Sequence, residues 1–514
     1  MGKNSFLYGT FILIVVNFIV RLFGFSYKVI LSRMIGPEAI GLFHLVYPVL
    51  MTLITFTSAG IPIAVSKLVA HNLSLKNEKG CNKILGVSLI SGLAISVMLS
   101  ILLLLNAKTI SISIIKNEDV YYSLMALTPA IPLITLSSIF RGYYYGMKKM
   151  GPPGISQIIE QIIRIIFVIG CLSFMLPMSP KNSVIIAVIG ISVGEFSGFL
   201  WLLFRFKIME ALHLRRTYDV IKNGSRSILG KVYYISIPIT ITRMVGVIIQ
   251  SVHAVLVPQR LQLIGYTPQE SLAIFGKLAG MALPILFLPF IVTSALVVNI
   301  IPTVSEEMAL KNWRDISLKS SIALRMTILA AIPSMALFIF FAEPLCSFIY
   351  KQSDVGQYLS LLAYSMVFLS LYHTASGILH GMGKQIITTI NYLIGMIFQL
   401  LCTYYLVPNP RFGVNGFIIG FILSAMIICT LNLVTLNHYV KFKFDISNSL
   451  IKPIFSTILM ILVIPLVYKI FMNLGLSSSF SILISVSSGM LSYAVMVVLT
   501  GSINIRTLQY IFKK

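Results

Sequence analysis

Acidic residues are scarce in this chain: 514 residues hold 15 Asp and Glu, against 39 Lys and Arg. Charge of either sign makes up 11% of the residues, less than half the roughly 25% of an ordinary soluble domain. With 57% apolar residues and a mean hydropathy of +0.94, there is too little polar surface to coat a water-soluble protein. Soluble cores stop growing at roughly 250–300 residues, so the surplus cannot be hidden inside one. The main solvent is lipid. Cytosolic enzymes, secreted disulfide scaffolds and nucleic-acid binders are excluded, the last despite a net charge of +24. The five cysteines (Cys81, Cys171, Cys346, Cys402 and Cys429) have no paired spacing, which argues against a disulfide framework or a metal site. No Ser-His-Asp, paired-carboxylate or nucleotide motif is visible. The chain reads as a non-enzyme that needs no cofactor.

Long apolar runs fill the space. Segments able to cross about 30 Å of hydrocarbon, roughly 17–25 residues each, fall near 6–32, 39–66, 84–106, 120–147, 154–177, 183–204, 232–258, 271–301, 318–342, 355–380, 385–407, 413–438, 453–473 and 479–501. The first reads as a span rather than a cleavable signal, because Arg21 interrupts it and no small-residue cleavage site follows. The expected fold is an all-α polytopic membrane protein of about fourteen transmembrane helices. With the N-terminus inside, 26 of the 39 basic residues fall in cytoplasmic connectors and eight in outer ones. The inner set takes in Arg141, Lys148 and Lys149, and the basic connector Arg205–Lys231. That bias predicts a multi-pass cell-membrane protein with both termini cytoplasmic, and much of the net charge is then a topology signal.

The two halves echo each other. Arg21-Leu-Phe-Gly24 matches Arg243-Met-Val-Gly246, and Ile61-Pro62 matches Ile301-Pro302. Gly142, Gly146, Met147 and Lys149 match Gly377, Gly381, Met382 and Lys384. The order predicts two pseudo-symmetric six-helix lobes, 1–230 and 231–445, with the last two spans, in 446–514, outside the repeat. Parallel repeats of this kind hold substrate at the lobe interface and work by rocking.

Five cations remain inside the spans: Arg21, Lys28, Arg164, Arg243 and Lys277, with Glu160 and Glu195 as the carboxylates. Intramembrane charge costs about 2.5–3.5 kcal/mol per group even on insertion scales, so it marks a cavity or a partner. Arg21 and Arg243 have no acidic neighbour one turn away. Glu160 and Arg164 are four residues apart on one helix and can neutralise each other, with Gln157 and Gln161 extending the polar stripe. Glu195 sits among Gly190, Gly194 and Gly198, where helices can approach closely, and can pair with a cation or carry a coupling proton. The cavity balance is net +3, which suits an anion, and guanidinium suits phosphate oxygens in particular. Substrate-binding candidates are therefore Arg21, Lys28, Arg164, Arg243, Lys277 and Glu160, with Glu195 the coupling candidate. Histidines 44, 253, 373 and 380 read as structural.

The run from Ser137 to Lys149, Ser-Ser-Ile-Phe-Arg-Gly-Tyr-Tyr-Tyr-Gly-Met-Lys-Lys, followed by Ile155-Ser-Gln-Ile-Ile-Glu-Gln-Ile-Ile-Arg164, resembles the stage V sporulation protein B family. So do Arg21-Leu-Phe-Gly-Phe, the segment Ile35-Gly-Pro-Glu-Ala-Ile-Gly-Leu-Phe, and Gly60-Ile-Pro-Ile-Ala-Val-Ser-Lys67. That family lies in the polysaccharide branch of the multidrug/oligosaccharidyl-lipid/polysaccharide exporter superfamily, beside the lipid II flippases. The resemblance covers essentially the whole chain. It implies a fourteen-span fold, a last helix pair grooved for an isoprenoid tail, and a role in spore cortex peptidoglycan synthesis. By position, Arg21 and Lys277 resemble cavity cations of the flippases. Tyr27-Lys28 stands where those proteins carry a second arginine. Spans seven, eleven and twelve lack the carboxylates with which some flippases bind sodium. Ser481, Ser485, Ser488 and Ser492 form a small-residue face on the last span, suited equally to a tail groove and to plain helix packing.

The reading is a monomeric flippase for an undecaprenyl-pyrophosphate-linked glycan, in contact with membrane lipids and no nucleic acid. Its rivals are a cation-coupled multidrug exporter, a membrane glycan enzyme and a non-transporting sporulation scaffold.

Overall fold

The computed structural model describes residues 3–175, 177–209, 225–442 and 445–502, which are helical almost throughout, with no strand among them. Arg215, Arg216, Lys222, Lys443, Arg506, Lys513 and Lys514 of the basic connectors lie outside the described residues. Backbone polar groups in hydrocarbon must be satisfied within the segment, and this is why a lipid-solvated chain is helical. In chain order the helices are α1 (Lys3–Ser58), α2 (Ile61–Ser74), α3 (Glu78–Thr109), α4 (Tyr121–Ala126), α5 (Ala130–Gly146), α6 (Gly151–Met175) and α7 (Pro180–Met209). Next come α8 (Ser225–Gln262), α9 (Pro268–Phe275), α10 (Leu283–Leu286), α11 (Phe290–Ala309), α12 (Trp313–Phe340) and α13 (Ala342–Tyr350). The chain finishes with α14 (Val355–Ala363), α15 (Met366–Gly381), α16 (Gln385–Leu406), α17 (Val414–Val440), α18 (Lys452–Asn473) and α19 (Ser478–Leu499).

Among the described residues eleven helices are long and apolar enough to cross a membrane, and thirteen spans result when two bent pairs each count as one. The first of these runs through Gly36, whose φ of 77° and ψ of 173° break α1 before Pro37. Only glycine takes that conformation without strain, and proline then cannot donate to the preceding turn. Allowing for this break, each of the fourteen predicted segments has a helical counterpart. The bent pairs are α4 with α5, at 43°, and α14 with α15, at 54°. Pro129 stands at the first bend, whereas Tyr364 and Ser365 stand at the second. A bend that recurs without its proline belongs to the fold rather than to that residue.

Packing divides the chain into two units: Met1–Gln259 with Thr267–Gly276, and Arg260–Tyr266 with Lys277–Lys514. In the first, one apolar core joins α1 to α3 and α4 through Leu42, Leu45, Leu50, Leu103, Leu124 and Leu127. In the second, Ile300, Val304, Ile316, Leu324, Ile378 and Leu379 join α11, α12 and α15.

The repeat appears inside each unit as the same contacts at the same register. A Cβ at Gly142 would lie 2.4 Å from the Pro62 carbonyl oxygen, and one at Gly377, 235 residues on, 2.8 Å from Val297. Gly146 meets Ser66 and Val69 in the first unit; Gly381 meets Ile301 and Val304 in the second. Pro62 therefore corresponds to Val297, and the expected match of Ile61-Pro62 to Ile301-Pro302 is out of register by five residues. Two Ile-Pro pairs near helix ends matched in letters, but the glycine contacts set the register. Among the described residues, all six non-glycine residues with positive φ are lysines: Lys76, Lys116, Lys148, Lys311, Lys351 and Lys441. The first two recur 235 residues later as Lys311 and Lys351, and Lys148 recurs as Gly383, also at positive φ. Each of these lysines ends a helix, where its charge faces the negative end of the helix dipole.

Candidate functional site

The glycines of α7 build the site. Gly190, Gly194 and Gly198 recur every fourth residue and so share one helix face. That face lies on Ser156, Glu160, Arg164 and Val168 of α6, also four apart. A Cβ at Gly194 would sit 2.8 Å from the Glu160 carbonyl oxygen and 3.1 Å from Arg164 Cβ. Any larger residue would push the helices apart. Ser156 Oγ donates to the Gly198 carbonyl oxygen at 3.1 Å and locks the register.

Four charges meet above this seam. Arg164 Nη2 donates to Glu160 Oε1 at 2.5 Å along α6. Arg141 Nη2, on α5, donates to Glu160 Oε2 at 2.9 Å and stands 3.6 Å from Glu195 Oε2. Both guanidinium side chains are 15% exposed, and the two carboxylate side chains 7% and 8%. The sequence expectation paired Glu160 with Arg164 and left Glu195 open; the structure joins all three. It also corrects Arg141, which had been counted with the cytoplasmic connector. Arg141 is inside α5, deeper than Tyr143, Tyr144 and Tyr145. The basic connector proper begins only at Lys148, and the aromatic run between was the available signal.

Lys277 is not a lone cation. It lies in the second unit and is ion-paired with Asp354 at the start of α14. Asp354 stands at the helix start, outside the mid-span stretches in which a carboxylate is conspicuous in sequence. With Arg141 and Asp354 included, the six cations face three carboxylates, and the net +3 rests on Arg21, Lys28 and Arg243 alone.

Those three are exposed on long apolar helices, and among the described residues none is ion-paired. Asn17, Arg21, Gly24 and Lys28 follow one another at i, i+4, i+7 and i+11 on α1, a single helix face. Arg243, Gly246 and Gln250 repeat the last three of these places on α8, each 222 residues on. Thr240 precedes Arg243 by three residues, where Asn17 precedes Arg21 by four. In addition to the buried cluster, the first unit therefore holds two polar stripes of closely similar pattern.

The remaining expectations have simpler outcomes. Among the described residues no three His, Cys, Asp or Glu side chains are grouped to hold a metal. His44 packs edge-on against Phe275 at 6.5 Å, and His380 shares a 2.9 Å hydrogen bond with Thr388. In the second unit, Asn391 Nδ2 donates to Asn432 Oδ1 at 2.8 Å, and Asn432 Nδ2 donates to Ser376 Oγ at 2.9 Å. This neutral network occupies α15, α16 and α17. On α19, Ser481 and Ser485 are buried, and Gly489 meets Ile464 of α18 with no room for a Cβ. The hydroxyls of Ser481, Ser485, Ser488 and Ser492 bond back to their own helix. On these residues the face is a helix-packing face. A separate apolar cavity of about 460 Å³ in the second unit is lined by Pro289, Val292, Leu329, Pro333, Met490 and Tyr493, among others.

Residues 6–308 match the family described as "Polysaccharide biosynthesis protein", which is more than half the chain. The chain belongs to that family. A second family, MatE, matches residues 261–405. Stage V sporulation protein B of Bacillus subtilis (strain 168) is 27% identical over 87% of this chain and 86% of that protein. Lipid II flippase MurJ of the same organism is 22% identical over 78% and 77%. A solved structure of a lipid II flippase MurJ, in an inward closed conformation, covers 94% of this chain and 97% of its own, with a TM-score of 0.65 at 18% identity. At that identity the likeness establishes the fold, that of a polytopic membrane protein.

Proposed function

We propose that this member of the polysaccharide biosynthesis protein family is a flippase. It would carry an undecaprenyl-pyrophosphate-linked glycan, the peptidoglycan precursor lipid II for the spore cortex, from the inner to the outer leaflet. The observation that carries the reading is the pair of unpaired arginines, Arg21 and Arg243, at matching places on the polar stripes of two apolar helices. An intramembrane guanidinium without a carboxylate is costly. A pyrophosphate would offset that cost through bidentate bonds. Lys28 extends the α1 stripe, and Arg164 supplies the cluster's side of the anion path. Glu160 would orient Arg164 rather than bind substrate, and Lys277 would join only by exchanging Asp354 for the substrate.

In this reading residues 1–230 and 231–445 are the two moving lobes, α8 moving with the second although it packs with the first unit here; both termini are cytoplasmic, and 446–514 with the apolar cavity beside Tyr493 serve the lipid tail. An inside-negative potential favours outward anion movement by about 2.3 kcal/mol per charge per 100 mV. Two charges then suffice to bias the cycle. Relatives named as a sporulation protein and a lipid II flippase support the choice of substrate class. A cationic-drug exporter would need an unneutralised carboxylate in the first unit, and Glu160 and Glu195 both lie against arginine.

The test is a leaflet-translocation assay on reconstituted protein, with lipid II and other polyprenyl glycans, run with and without a potential. Outward movement of lipid II, lost in Arg21→Ala and Arg243→Ala, is the expected result. Folded protein that moves none of these lipids ends the flippase reading.

A further inference from the structure

We propose that Glu195 is a proton-binding site that switches the buried Arg141–Glu160–Arg164–Glu195 cluster between neutral and +1. The two carboxylates are unequally provided. Glu160 accepts hydrogen bonds from both guanidinium groups. Glu195 is only 6% exposed, and its Oε2 makes a 3.6 Å ion contact with Arg141 and no hydrogen bond. An ionised carboxylate out of water needs hydrogen bonds to be tolerated. Uptake of one proton from water converts Glu195 from carboxylate to neutral acid and provides an O–H donor. Glu160, clamped by two guanidinium groups, stays ionised. Arg141 Nη2 reaches both carboxylates, so the two share one counter-charge and respond to each other's ionisation.

Among the described residues, no other group that faces the cluster from the packed helices competes for that proton at neutral pH; Lys28 and His44 of α1 lie beside each other rather than beside Glu195. From α5 the cluster is faced by Arg141 and Tyr145, and from α6 by Glu160 and Arg164. From α1, Tyr27 and Tyr47 lie within electrostatic reach of Arg164. Tyrosines hold their protons throughout the working range and arginines never release theirs. Ser192, one turn from Glu195, and Ser137, one turn from Arg141, place buried hydroxyls without hydrogen-bond partners on the same helices.

The charge change has a direction. With Glu195 protonated, the arginine pair keeps one uncompensated positive charge and attracts an anionic headgroup; with Glu195 ionised the pair is neutral and lets it go. This last step rests on the pyrophosphate-lipid reading above. The proton site itself does not.

Infrared difference spectroscopy on the full chain in lipid nanodiscs, titrated between about pH 5 and pH 9, tests the site. A protonated-carboxyl band that titrates in the wild type and vanishes in Glu195→Gln is expected. No titrating band, or one that survives Glu195→Gln, overturns the proposal. Binding of undecaprenyl pyrophosphate to the same nanodiscs should weaken with rising pH by on the order of tenfold. In Glu195→Gln it should stay at the tight, low-pH value. A titrating band with pH-independent binding retains the proton site and removes the anionic-headgroup reading.

Discussion

Where the first repeat buries four charges, the second buries a neutral network, on helices packed in the same way. Gly198 packing against Ser156 and Glu160 has its counterpart in Asn432 bonding to Asn391. Gly190 against Val168 has its counterpart in Ser424 bonding to Gln399. In that register Arg141 corresponds to Ser376, Glu160 to Asn391 and Glu195 to Cys429. The second unit closes the space with amides and hydroxyls that satisfy one another, whereas the first keeps charges that compensate incompletely. A satisfied amide network cannot take up a proton or exchange a partner for a phosphate. A charged cluster can do both, so the duplicated framework has become chemically one-sided.

The largest effect expected from breaking this asymmetry is functional. Rewriting the cluster in the image of the second repeat, as Arg141→Ser with Glu160→Asn, Arg164→Gly and Glu195→Cys, should abolish lipid translocation. No charge is left buried without its partner, which is the usual source of a large stability loss, so thermal unfolding should change much less than transport does. Transport that persists would remove the cluster from the mechanism. Breaking the set by half is the next largest effect, and this time on stability. Arg141→Ala leaves two carboxylates with one guanidinium and should cost about 3–5 kcal/mol. Ser376→Ala removes one neutral hydrogen bond and should cost about 0.5–1.5 kcal/mol. Both are read as shifts in thermal unfolding of purified protein.

Gly194→Val attacks the frame. Its side chain meets the Glu160 backbone, and overpacking of this kind costs about 1–3 kcal/mol while displacing Arg164. The smallest effect sharpens the repeat itself. Lys148→Gly copies Gly383 at the matching left-handed position and should raise stability by up to about 1 kcal/mol, since the lysine side chain is strained there. An unfolding temperature lowered by this change would show that the lysine's interaction with the helix end outweighs its strain.

Composition and run length were enough to read a helical membrane protein with about fourteen crossings, and repeated motifs to read a duplicated body. Lipid leaves the backbone few choices, so low charge content and apolar length are nearly sufficient evidence. The motif from Phe140 to Arg164 pointed to the family, and the glycines beside Glu195 announced a close helix contact. Arg21 and Arg243 were legible because an arginine amid apolar residues stands out in one dimension. What sequence could not supply were the partners of Arg141 and Lys277. Arg141 on α5 meets Glu195 on α7, with all of α6 between them in the chain, and Lys277 meets an aspartate 77 residues away. Ion pairs form between side chains brought together by helix packing, and packing register is a property of surfaces. Chain order alone therefore indicated which charges were costly to bury; only the tertiary structure decided which of them neutralise one another and which remain to bind something else.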